Sequence, residues 1–152
     1  MVLYICKCRL QCYYLTHLIY VFSDWGQHCL PRQLFSEEFF FIVSNMSLVT
    51  VEMKDPEIVG EFLQCLKILQ FTPESDPELI GLFTMGVEFL IAEERERGSK
   101  GIWVTKKEVG NTGKWGERGA RVYDRYHASY CAAIALLDYT FLEVSYCTSL
   151  SA

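Results

Sequence analysis

The sequence predicts a mainly α fold: an αα-hairpin and a C-terminal helix, with a short β-hairpin or Gly-rich loop between them. Three observations predict it. An Asp-Pro-Glu helix start occurs twice, at Asp55-Pro56-Glu57 and at Asp76-Pro77-Glu78. Apolar residues follow each start at helical spacing. An alanine-rich stretch near the C-terminus shows the same period.

The 152 residues suit one domain of ordinary size. With 51% hydrophobic and 22% charged residues the chain can build a core. The net charge of −5 conceals a seam. Residues 46–97 carry four basic and eleven acidic side chains, whereas residues 98–121 carry six basic and two acidic. An acidic helical block therefore precedes a basic, glycine-rich one.

Residues 1–45 read as an apolar extension rich in cysteines and aromatics, with no clear helix caps. The compact domain is expected over 46–146, with a frayed tail at 147–152. The uncharged run from Leu10 to Phe22 is thirteen residues, short of the roughly 20 that a spanning helix needs. A transmembrane segment is therefore not expected. Lys7 and Arg9 ahead of that run suit a secretory signal at 1–22, although no small-residue cleavage site follows. Asn45-Met46-Ser47 is a glycosylation triplet of a kind that chance often supplies. Seven cysteines cannot all pair within one chain. Reduced thiols and a cytoplasmic setting are expected, with export as the alternative.

Cys6, Cys8, Cys12 and Cys29, with His17 and His28, raise the question of a metal. Cys8 and Cys12 have a usable spacing, but the histidines stand too far apart for a zinc module, and their neighbours are apolar. Buried free thiols fit better, and no cofactor or metal is expected. Phe39-Phe40-Phe41-Ile42-Val43 reads as either a buried strand or an exposed patch, and Phe39, Phe40 and Phe41 are the candidate partner surface.

The first helix is expected over 55–70. Aspartate caps it, proline takes its first position and glutamate suits its positive end. Ile58, Val59, Phe62, Leu63, Leu66 and Leu69 form its apolar stripe. The second is expected over 76–97, with Ile80, Phe83, Val87, Leu90 and Ile91 as its stripe. Gly60 and Gly81 occupy equivalent places in the two copies, where close helix packing is the expected reason for a costly residue. Two copies fall short of the three that a helical-repeat scaffold needs.

Between 98 and 121, Ile102-Trp103-Val104-Thr105 reads as a strand, Gly110-Asn111-Thr112-Gly113 as a turn, and Lys114 to Tyr123 as a return strand. Lys100, Lys106, Lys107, Lys114, Arg118 and Arg121, interleaved with tryptophans, are the candidate nucleic-acid contacts. The spacing around Gly113-Lys114 does not match a P-loop. The closing helix is expected over 121–144, with Tyr126, Tyr130, Ile134, Leu137 and Phe141 inward. His127 stands isolated and reads as structural.

No nucleophile elbow, zinc-protease helix or dinucleotide fingerprint is present. The acidic residues read as caps and solvent-facing groups. The expected function is therefore non-catalytic: a protein-interaction or assembly subunit, with a protein partner or a second copy bound through apolar and aromatic surface. Nucleic-acid binding through the basic segment is the alternative.

Overall fold

The computed structural model describes residues 2–96 and 116–137. Among them are five α-helices and no strand: α1 (Val2–Phe22), α2 (Ser36–Ser47), α3 (Pro56–Ile68), α4 (Ile80–Glu96) and α5 (Gly116–Leu136). No helix among the described residues is long and apolar enough to cross a membrane.

The fold is organised around α3. Asp55 caps it, accepting from the backbone N–H groups of Glu57 and Ile58, and Pro56 takes the first position. At its other end Gln70 adopts a left-handed φ of 60°. The Phe71 N–H bonds to the Leu66 carbonyl and the Gln70 N–H to that of Lys67. That pair of bonds satisfies the last carbonyls of the helix and lets the chain reverse. Between these caps every α3 residue except Gln64 is buried. Its apolar stripe packs against α2 and α4, where Phe41 meets Phe62 edge-on and Gly86 lies against Leu63.

The opposite side of α3 is covered by α1 and α5. Arg9 meets Asp55, Thr16 meets Glu61 and Tyr20 meets Gln64, so α1 runs parallel to α3. His127 meets Glu57, Cys131 meets Glu61, and the end of α5 meets Lys67, so α5 is parallel to α3 as well. The closest approach is at Gly60. A Cβ there would lie 2.8 Å from the Cys131 carbonyl carbon and 3.0 Å from the Ala132 nitrogen. The buried face of α5 accordingly consists of Ala128, Cys131, Ala132 and Ala135. Lys67 closes the far end. Its ammonium donates to the carbonyls of Ala135 at 2.8 Å and Leu137 at 2.9 Å, groups that the end of α5 leaves unpaired.

Arg32 fastens the turn between α3 and α4. Its guanidinium grips both carboxylate oxygens of Asp76, donates to the carbonyls of Leu69 and Gln70, and lies over the Phe39 ring. The fit draws the Asp76 carboxyl below its ordinary pKa, chiefly through the Arg32 hydrogen bonds.

Several expectations are corrected. The boundary near Met46 falls inside α2, and the Met46 side chain is fully buried beside Ile19 and Ile42 in one core. Residues 8–45 thus share the core of the rest, because their apolar groups cover α3. The 39–43 segment is helical, not extended. The two Asp-Pro-Glu starts are not equivalent. Asp76 makes no capping bond, since Arg32 occupies its carboxylate; Pro77–Leu79 form a 3₁₀ turn and α4 begins at Ile80. Residues 116–123, expected as a return strand, are helical. Glu117, Arg118, Ala120 and Arg121 are good helix formers, and Glu117 stands four before Arg121 in the favourable order. The rest of that hairpin, the tail at 147–152 and Phe141 lie outside the described residues. Tyr126, Tyr130 and Leu137 face outward, displaced from the core by the small residues that Gly60 requires. At Gly81, by contrast, a Cβ would meet nothing.

The two glycines make opposite predictions. Gly60→Ala should destabilise the protein by about 1–3 kcal/mol, because it wedges two backbones apart. Gly81→Ala should stabilise it by about 0.4–1 kcal/mol by restricting the unfolded chain. Urea unfolding of both variants checks the pair, and equal effects would remove the close-approach explanation.

Candidate functional site

The side of α3 that faces α1 and α5 is polar, and it is buried. Glu57, Glu61 and Gln64 recur at helical spacing along it, with Asp55 just ahead; the expectation that such acidic residues face solvent is corrected here. Asp55, Glu57 and Glu61 are 2%, 2% and 1% exposed. Buried carboxylates must find partners, since an unpaired one costs several kcal/mol. Each does. Arg9 pairs with Asp55 at 2.7 Å. His127 Nδ1 lies 2.9 Å from Glu57 Oε1, and since a carboxylate accepts, Nδ1 carries the hydrogen.

Glu61 sits deepest. Its Oε2 is 2.6 Å from Thr16 Oγ1, and Oε1 faces the Cys131 thiol at 3.9 Å. Burial raises its pKa to about 7 against the opposing Thr16 hydrogen bond. Thr16 Oγ1 donates to Glu61 Oε2, which favours the carboxylate and so works against the burial. Burial likewise raises Asp55 to about 6, with Arg9 opposing it. Tyr20 donates to Gln64, and Gln64 donates to the Cys131 carbonyl at 2.9 Å, tying α1 to α5 through α3.

These groups do not form a Cys–His catalytic pair. Cys131 Sγ lies 3.9 Å from His127 Nδ1, but that nitrogen already donates to Glu57 and cannot also take the thiol proton. Burial, and then the nearby carboxylates, push the Cys131 thiol far up, so the thiolate is disfavoured. The ligand atoms of Glu61, His127 and Cys131 do lie within 4.8 Å of one another, the one such group of metal-binding donors among the described residues.

A shallow groove of about 640 Å³ runs beside this cluster. Leu10, Tyr14, Leu18 and Val21 of α1 form its wall, and Glu57 and His127 reach its floor. His17 lines it too, with Nδ1 donating to the Tyr13 carbonyl at 2.8 Å.

The residues singled out from sequence are dispersed. Phe39 lies under Arg32 and Phe41 against Phe62, whereas Phe40 is 71% exposed. Cys8 and Cys12 are buried free thiols on α1, and Cys29 is free and half-buried. Arg118 and Arg121 fall in the first turns of α5; Lys100, Lys106, Lys107 and Lys114 lie outside the described residues. Sequence reasoning missed the Glu57–Glu61 and His127–Cys131 pairs. Each pair has a spacing of four on a helix that is otherwise apolar or small, and that was the available signal. No protein-family model, curated protein or solved structure matches the chain.

The raised acid pKa values set a pH dependence. An acid whose folded pKa lies above its unfolded value holds its proton more tightly when folded. Its contribution is therefore complete below the unfolded value and is lost as pH rises through the folded one. For Glu61 that window runs from 4.5 to about 7. For Asp55 it runs from 3.8 to about 6. Between pH 6 and 7 only Glu61 remains, so the metal-free protein should lose on the order of 1 kcal/mol there. Glu61→Gln should flatten that segment, as read by urea midpoints at successive pH. A wild-type midpoint that rises over the same interval would contradict the protonated Glu61.

Proposed function

We propose that the protein is a non-catalytic assembly subunit that pairs with a second copy of itself through the outer face of α1. The observation that carries this reading is a stripe of exposed apolar side chains along that helix. Leu10 is 74% exposed, Tyr14 74% and Val21 68%. With His17 they fall at successive intervals of four, three and four residues, the spacing of a helix–helix seam. From Leu10 to Val21 the seam runs about 17 Å along the helix. Trp25, stacked on Tyr20, extends the apolar surface past the end of α1.

A contiguous stripe of this kind favours association. One self-complementary face on each copy gives a closed two-fold pair rather than an open chain. His17 in the middle of the seam supplies the polar position that holds register in such pairs. Phe40, exposed on α2, is a separate candidate contact. The buried thiol and the engaged His127 nitrogen both weigh against catalysis and so favour an assembly role.

Sedimentation equilibrium on the full chain tests the proposal. The wild-type protein should be a dimer at micromolar concentration. Tyr14→Glu with Val21→Glu should shift it to a folded monomer, while Phe40→Ser should leave the dimer intact. A wild-type chain that stays monomeric at high micromolar concentration would defeat the reading.

A further inference from the structure

We infer that Glu61, His127 and Cys131 form a zinc site that pins α5 to α3, with water at the fourth position. The donors are one thiol, one imidazole and one carboxylate, a set suited to zinc. Magnesium and calcium require oxygen ligands throughout. The site borders the groove that the α1 surface lines, but its ligands come from α3 and α5 alone, so the inference does not depend on that surface.

Four observations support the assignment. The first is convergence. His127 and Cys131 stand four residues apart on one face of α5, and that face opposes Glu61 on α3. The second is rigidity. The backbone approach at Gly60 holds α3 against Cys131 and Ala132, directly beside the donors, so the ligands rest on fixed elements and not on a loop.

The third is distance. Cys131 Sγ lies 3.9 Å from both Glu61 Oε1 and His127 Nδ1, and the three ligand atoms all lie within 4.8 Å of one another. Zn–S near 2.3 Å and Zn–N or Zn–O near 2.0 Å at tetrahedral angles place ligand atoms roughly 3.3–3.5 Å apart. The two sulfur distances need to close by only about half an ångström, within the reach of side-chain rotation. The fourth is support around the ligands. Thr16 holds the second oxygen of Glu61 at 2.6 Å and leaves Oε1 directed at Cys131. A partner that orients a ligand in this way is a regular feature of metal sites.

Coordination at His127 Nδ1 displaces the hydrogen bond to Glu57, and the neutral imidazole then carries its one hydrogen on Nε2. The protons of the Cys131 thiol and of Glu61 pass to solvent. Glu57 and His127 border the groove beside α1, which gives the ion and those protons a route.

The test uses the full chain, stripped with a chelator and titrated with Zn²⁺ or with Co²⁺ as its spectroscopic surrogate. One equivalent of either should bind saturably, and Zn²⁺ should raise the thermal midpoint. Co²⁺ should give the thiolate-to-metal charge-transfer band and the visible bands of a tetrahedral centre. Cys131→Ser should abolish the charge-transfer band, and His127→Ala should weaken binding more than about 100-fold, beyond what loss of a supporting partner costs. Cys29→Ser should change neither. Should Cys131→Ser fail to fold, the isosteric Glu61→Gln serves, with native far-ultraviolet dichroism and at least tenfold weaker binding expected. The inference is overturned by a charge-transfer band that survives Cys131→Ser, by wild-type affinity in Glu61→Gln, or by the absence of saturable one-to-one binding.

Discussion

The structure depends on one constraint: α3 is buried on its polar side as well as its apolar side. An amphipathic helix ordinarily keeps its charged face wet. Here α1 and α5 cover that face, and Asp55, Glu57, Glu61 and Lys67 go inside with it. Every other unusual feature answers this burial. Arg9, Thr16 and His127 are where they are because buried acids need donors. Glu61 holds its proton to neutral pH for the same reason. The ammonium of Lys67 is satisfied by the carbonyl end of α5, so one buried cation serves as another helix's cap.

Covering a helix on all sides also requires closeness, and closeness restricts residue size. Gly60 has no side chain, and the face of α5 against it is alanine and cysteine. That choice displaces the tyrosines of α5 to the outside, where Tyr126 and Tyr130 stack on each other. The same packing brings Cys131 and His127 to the acids of α3. Mechanical fit and chemical potential therefore share an origin: the contact that locks α5 in place also brings the donors of Glu61, His127 and Cys131 together.

The helical class and the Asp55 start were legible, since capping and apolar period are local signals. Gly60 was legible as a close contact, but Gly81 in the matching copy was not legible as empty space. Asp76 shows why the repeat misleads. Its sequence context equals that of Asp55, yet Arg32, 44 residues earlier, takes its carboxylate. The place of α1 and α2 in the core was hidden because their apolar residues follow no single stripe. α1 carries buried Cys12, Thr16 and Ile19 on one side and exposed Leu10, Tyr14 and Val21 on another. The polar cluster was hidden because burial of a glutamate is decided by what covers it, and the covering residues stand far away in the chain.

The parallel run of α1, α3 and α5 has a kinetic consequence. Parallel neighbours cannot be joined by tight turns, so the contacts that complete the polar cluster close long loops. His127–Glu57 and Cys131–Glu61 each span 70 residues. Such closures are entropically late, and chains built on them fold slowly for their helix content. As the chain emerges from the ribosome, α1 to α4 form first and leave the acids of α3 hydrated on one side. Docking of α5 then desolvates them in a single step. The last amides to gain protection in pulse-labelled hydrogen exchange should accordingly be those of α5, and nascent chains that end before it should hold an open, acidic trough.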